Sequence, residues 1–153
     1  MRRLYIAYGS NMDHEQMARR CPDSLYIGEG YIEGYELLFK GSLTGSYATI
    51  EQKEDSKVPV CIWSISDQDE EALDHYEGFP NFYYKTYISA NTKIGDVTGM
   101  VYIMHEKRKL GIPTGLYYNV LRACYKQYKW DTKILKEALD KSIHAINKKG
   151  LNR

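Results

Sequence analysis

The chain has only three cysteines, Cys21, Cys61 and Cys124, in 153 residues. Their odd count, wide spacing and lack of any C-x-x-C exclude a disulfide framework and a zinc site. A reducing, cytoplasmic setting is expected. The histidines at 14, 75, 105 and 144 show neither H-x-x-x-H nor H-E-x-x-H spacing, so no metal site is implied. Neither sign of charge dominates: 21 basic and 20 acidic residues leave a net +1. That balance gives no electrostatic reason to expect a nucleic-acid or membrane partner. The one locally basic stretch (Lys141, Lys148, Lys149, Arg153) reads as a solvated helix tail. Long apolar runs are missing too. Leu4–Ala7 is too short for a signal peptide or a membrane span, so a soluble, unprocessed protein is expected. No repeat or low-complexity segment is present. The length fits a single domain, 1–153, able to bury its own core.

Tyrosine is abundant, with 15 copies. Each offers a large apolar body and one hydroxyl, suited to a core or to the wall of a small polar pocket. Leu4-Tyr5-Ile6-Ala7-Tyr8 reads as a buried strand and Gly9-Ser10-Asn11 as a turn. Asp13 with Gln16 resembles a capping box, so a short helix should follow and end near Cys21-Pro22. Residues 24–40 read as two strands, 24–29 and 31–40, or as one bent strand. Glycines 28, 30 and 34 miss the dinucleotide fingerprint by one residue, and no helix pattern follows them. Kinks or bulges in a curved sheet are the better reading. Tyr47–Glu51 and Val58–Ile65 read as strands joined by a polar turn at Glu54–Lys57. Ser66 is a candidate N-cap for a helix over 67–77, which Gly78 and Pro80 end. Phe82–Ser89 and Val97–His105 predict two more strands, with a turn near Asn91–Asp96. Helical spacing then takes over, at Tyr117 to Tyr128 and again at Leu135 to Ile146 after Asp131, a candidate N-cap. Strands first and helices last is an α+β pattern around a mostly antiparallel, possibly closed, sheet.

Two features bear on chemistry. A strand entering a helix through Gly9-Ser10-Asn11 leaves free backbone N–H groups, which suit an anion or an oxyanion. Glu77 closes the 67–77 helix, where the helix dipole disfavours negative charge and aromatic neighbours can desolvate it. Both effects raise a carboxyl pKa toward the range useful for proton transfer. Ser10 lacks the G-x-S-x-G frame of a hydrolase elbow, and neither Cys21 nor Cys61 has the setting of a nucleophile.

Tyr8-Gly9-Ser10-Asn11-Met12, Arg20-Cys21-Pro22, Gly34-Tyr35, Ala48-Thr49-Ile50, Leu73-Asp74-x-Tyr76-Glu77-Gly78 and Tyr102-Ile103-Met104 occur in that order. In this the chain resembles the γ-glutamylcyclotransferase family, including its AIG2-like members, over roughly residues 4–130. The resemblance implies a small mixed, mostly antiparallel β-barrel flanked by helices, with 131–153 a C-terminal helical extension. It implies cleavage of a γ-glutamyl amine or peptide by the substrate's own α-amine, giving 5-oxoproline and a free amine. By motif position Glu77 matches the proton-transferring glutamate. Tyr5, Ile6, Ala7, Tyr8, Gly9 and Ser10 match the substrate-binding loop, followed by Asn11. Tyr117, after Pro113-Thr114, matches a pocket tyrosine. A second pocket tyrosine falls at Tyr83 or Tyr84, with Tyr83 preferred. The expected partner is a small γ-glutamyl substrate, with no cofactor, metal, nucleic acid or membrane. Removal of a γ-glutamyl protecting group by the same chemistry, and a non-catalytic small-ligand module, are the alternatives.

Overall fold

The computed structural model describes residues 1–43 and 45–151. Of the basic tail, Arg153 and the side chain of Lys149 lie outside the described residues. Five strands close into a barrel in the order β1-β3-β2-β4-β5. They are β1 (Arg3–Ala7), β2 (Leu25–Lys40), β3 (Tyr47–Ile65), β4 (Tyr83–Thr92) and β5 (Gly95–Met104). Four helices accompany them: α1 (His14–Arg20), α2 (Asp67–Glu77), α3 (Gly115–Gln127) and α4 (Lys133–Leu151). The barrel is mixed. β1 runs parallel to β5 at Tyr5↔Met100, and the other neighbours are antiparallel.

The 24–40 segment forms one bent strand, Leu25–Lys40, not two. Its register against β3 shifts between Tyr26 and Gly28 and between Glu33 and Tyr35. Gly34, at φ +77°, occupies the second irregularity. Gly30 is needed for space, since a Cβ there would lie 2.4 Å from the Asn91 carbonyl on β4. The polar turn expected at Glu54–Lys57 is instead part of β3, which continues through it. Glu33 pairs with Lys57 and Tyr35 with Gln52, so the residues between them on β3 bulge out. Asp55 takes φ 62° there, a conformation that Asp tolerates better than most residues. Pro59 is buried within β3 where β1 no longer pairs, because β1 reaches only Cys61. The lost N–H therefore breaks no ladder with β1.

One core fills the barrel and the gaps beneath the helices. Ile6, Ile32, Phe39, Ile50, Ile62, Ile65, Leu73, Met100 and Met104 are all buried in it. β5 is buried on both faces from Gly99 to Met104, so its alternation does not separate core from solvent. α4 packs on β2 and adds Leu135 and Ala138 to the same core. The buried Ser142 hydroxyl donates to the Phe39 carbonyl at 3.1 Å. Asp131 accepts the Lys133 N–H at 3.0 Å, just before α4 begins. Among the described residues, no helix is long and apolar enough to cross a membrane.

Candidate active site

β1 leads into Gly9 and then a 3-10 turn, Ser10–Met12. This turn separates the strand from α1, so the Gly9-Ser10-Asn11 amides do not open the helix itself. α1 begins at His14, capped by Asp13, whose side chain accepts the Gln16 N–H at 3.1 Å. Only this arm of the expected capping box forms, because the Asp13 N–H is already bonded to the Ser10 carbonyl. The turn holds itself together through Met12 N–H to the Gly9 carbonyl at 3.0 Å. Trp63 donates its indole N–H to the Asn11 carbonyl, also at 3.0 Å. No described residue accepts from the amides of Gly9, Ser10 and Asn11.

α2 delivers Glu77. Its N-terminus carries a full capping box: the Ser66 hydroxyl takes the Asp69 N–H, and Asp69 takes the Ser66 N–H. Its C-terminus ends on Gly78 in the left-handed conformation, φ 64°, a geometry that glycine adopts without a Cβ penalty. Thr114 caps α3 by accepting the Tyr117 N–H at 3.2 Å, which sets Tyr117 in the first turn.

These elements meet at a cavity of about 160 Å³. Its wall includes Tyr5, Ile6, Tyr8, Gly9, Ser10 and Asn11 from the N-terminal segment, Glu77 from α2, Tyr83 from β4 and Tyr117 from α3. Ala7 is the one exception in the expected loop. It is buried but does not line the cavity. Tyr83 and Tyr84 part by strand alternation. Tyr83 faces the cavity, whereas Tyr84 points outward to Glu106. Gly9 sits so close to the wall that a Cβ there would lie 3.1 Å from the Tyr117 hydroxyl.

Tyr47, Ala48, Tyr76, Phe82 and Tyr102 complete the wall. Tyr76 and Phe82 are among the aromatic neighbours that the sequence offers to Glu77, whereas Tyr47, Ala48 and Tyr102 are not singled out as site residues. Arg20 was also missed as a site residue. Its guanidinium bonds the Asn11 side-chain oxygen and lies 3.5 Å from the centre of the Tyr76 ring. No periodic signal links Arg20 to Asn11, since they belong to different elements.

Glu77 is partly buried, and no described residue hydrogen-bonds its carboxylate. Desolvation pushes its pKa up to about 7, against a smaller opposing pull from the Arg20 charge. Burial, followed by the proximity of Glu77, likewise holds the Tyr5 and Tyr8 hydroxyls well above the usual phenol range. Tyr83 and Tyr117 are also raised by burial. All four therefore stay protonated at neutral pH and serve as hydrogen-bonding groups. Among the described residues no cluster of His, Cys, Asp or Glu could hold a metal ion. The three thiols are free and buried, with burial raising each pKa.

Fold and site together define a small closed-barrel protein with, among the described residues, one carboxyl group raised by burial on the wall of a tyrosine-lined cavity. A family profile described as "Gamma-glutamyl cyclotransferase, AIG2-like" matches residues 5–119. The chain belongs to that family. Among solved structures it is similar to one described as "Gamma-glutamyl cyclotransferase", with a TM-score of 0.80 at 22% identity over 90% of this chain and 86% of that one. It is similar to the uncharacterized protein loc79017 from Homo sapiens, with a TM-score of 0.79 at 23% identity over 90% and 86%. YkqA from Bacillus subtilis gives 0.74 at 16% identity, over 89% of this chain and 52% of that one. At these identities the likeness is one of fold. No curated protein matches the chain at the same stringency.

Proposed function

We propose that this protein cleaves a γ-glutamyl amine or peptide by attack of the substrate's α-amine on its γ-carbonyl, releasing 5-oxoproline and a free amine. The observation that carries the reading is Glu77: a carboxyl group without a hydrogen-bond partner among the described residues, raised to about 7, on the wall of a small cavity. An engineered cavity of about 150 Å³ admits a benzene-sized molecule, so the chamber suits a substituent that folds into a five-membered ring. Folding the glutamyl chain into its bent form removes part of the barrier, within the range of about 7–11 kcal/mol for well-oriented intramolecular reactions.

In this scheme Glu77 takes a proton from the α-ammonium, which in a free amino group titrates near ~8. The amine attacks the γ-carbon, and the N–C bond of the ring forms as the bond to the leaving nitrogen breaks. Protons lost by the amine end on the leaving nitrogen, so Glu77 acts first as base and then as acid. The free amides of the 9–11 turn supply donors to the substrate α-carboxylate or the developing oxyanion. The three free thiols fit a reducing, cytoplasmic setting.

A panel of γ-glutamyl amines and dipeptides, scored by 5-oxoproline release, tests the proposal. Glu77→Gln should lower kcat by about 10²–10⁴-fold, the usual share of a general acid–base. Acetylating the substrate α-amine should stop cleavage. Turnover of the acetylated compound at a normal rate would mean an external nucleophile. A fully inert panel would move the reading to a small-ligand module.

A further inference from the structure

We propose that the cavity has a fixed division of hydroxyl polarity: Tyr5 and Tyr117 present protons to the occupant, Tyr8 and Tyr83 present lone pairs, and Arg20 acts through Asn11 to hold Tyr5 as a donor. This rests on the reading above for the identity of the occupant, a γ-glutamyl group.

The assignment follows from what each hydroxyl faces. A phenol oxygen opposite an N–H must accept, and one opposite a carbonyl must donate. The peptide flanks of one residue, Ala48, set two tyrosines in opposite senses. Its N–H donates to the Tyr117 hydroxyl at 3.1 Å, and its carbonyl accepts from Tyr83 at 2.7 Å. Both groups are available because this part of β3 lies beyond the reach of β1, which pairs only as far as Cys61. Tyr8 donates to the Tyr102 carbonyl at 2.6 Å. The Thr49 hydroxyl, nearby on the same strand as Ala48, takes the Met104 N–H at 3.0 Å.

Tyr5 is decided indirectly. Its partner is the Asn11 side-chain amide, which by itself can face either way. Arg20 removes the ambiguity, since a guanidinium has donors only. It bonds the Asn11 side-chain oxygen, which leaves Asn11 Nδ2 to donate to the Tyr5 hydroxyl at 2.9 Å. Tyr5 therefore accepts, and no described residue takes its own proton. Stacking of Arg20 over the Tyr76 ring, at 3.5 Å, and the Trp63 bond to the Asn11 backbone hold this relay in place.

The result is a cavity with two kinds of hydroxyl on its wall. Tyr5 and Tyr117 flank the 9–11 turn and add two O–H donors to its free amides, a setting for a carboxylate or a developing oxyanion. Tyr8 and Tyr83, with Glu77, offer acceptors to an ammonium group. A γ-glutamyl group carries both kinds of charge. The four tyrosines touch the occupant, and Arg20 and Asn11 are positioning residues.

The test is a double-mutant cycle on the full chain with Tyr5→Phe and Arg20→Met, read as kcat and KM for 5-oxoproline release. Each single variant should lose about 10²-fold in kcat, as for one oxyanion donor. The double variant should be no worse than Tyr5→Phe, since Arg20 acts through that hydroxyl. Asn11→Asp, near-isosteric but without an N–H for Tyr5, should match Tyr5→Phe. Losses that multiply in the cycle would overturn the relay, and would point instead to a direct effect of the Arg20 charge on Glu77. A fully active Asn11→Asp would overturn it as well. If the wild type releases no 5-oxoproline from any substrate, the function reading fails separately. The cycle is then read on 5-oxoproline binding by calorimetry, where lack of coupling still refutes the relay.

Discussion

At the residue scale, the elevated Glu77 links stability to pH in a direction opposite to that of a salt-bridged acid. Its pKa is about 7 in the folded chain against the ordinary 4.5. Between those values the folded state keeps a proton that the unfolded chain has lost, so stability falls as pH rises through this window and stays low above it. One pKa unit corresponds to about 1.4 kcal/mol, and partial solvent access reduces what is realised. Glu77→Gln should therefore stabilise the protein by about 1–2 kcal/mol at pH 8 and by almost nothing at pH 4, measured by denaturant titration at both values. In the wild type, kcat/KM should rise with an ascending limb near pH 7, as Glu77 becomes able to accept a proton. A limb near 4.5 would mean that the carboxyl group is solvated. The position of Glu77 was legible in the sequence because a helix-ending glycine and its aromatic neighbours mark it. Part of its tyrosine surroundings was not. Tyr47, Tyr76 and Tyr102 line the cavity, while Tyr87 is exposed and Tyr125 is buried in the core. Nothing local to a tyrosine distinguishes these fates.

At the scale of elements, α2 is the device that aims the carboxylate. Its first turn is fixed by the Ser66–Asp69 box. Its middle is tied to the barrel by Asp74, which accepts from Tyr102 at 2.6 Å and from Lys85 on β4. Glu70 reaches the same Lys85 at 2.7 Å and also Arg3 on β1. Ser66→Ala should cost about 1 kcal/mol of stability, the usual value of an N-cap, seen as a lower denaturation midpoint with an unchanged slope. The cap residues at Ser66 and Gly78 were readable because capping chemistry is local. The strand through residues 54–57 was not. Its side chains are mostly exposed, and polar sequence there reflects a long hairpin with little apolar cover rather than the end of a strand. The choice between one strand and two over 24–40 likewise depended on β3, which pairs along the whole length and absorbs the irregularities as bulges.

For the molecule as a whole, closure rests on the narrow parallel seam between β1 and β5. Gly99 lets the two strands approach: a Cβ there would lie 2.9 Å from Ile6 Cγ1 and 3.2 Å from the Leu4 carbonyl. Gly99→Val should destabilise the protein by about 1–3 kcal/mol through overpacking, measured by thermal or chemical denaturation. The barrel's mixed character needed the family resemblance, because a parallel contact between the first and last strands leaves no mark on either segment alone. The same seam has a temporal consequence. β1 is made first, yet its neighbours are β3 and β5, and α3 must still follow to bring Tyr117 to the chamber. No fragment of a nascent chain that stops short of α3 has a complete receptacle. A molecule that fits the chamber therefore favours the folded chain over fragments that lack α3 and shifts the folding equilibrium by mass action.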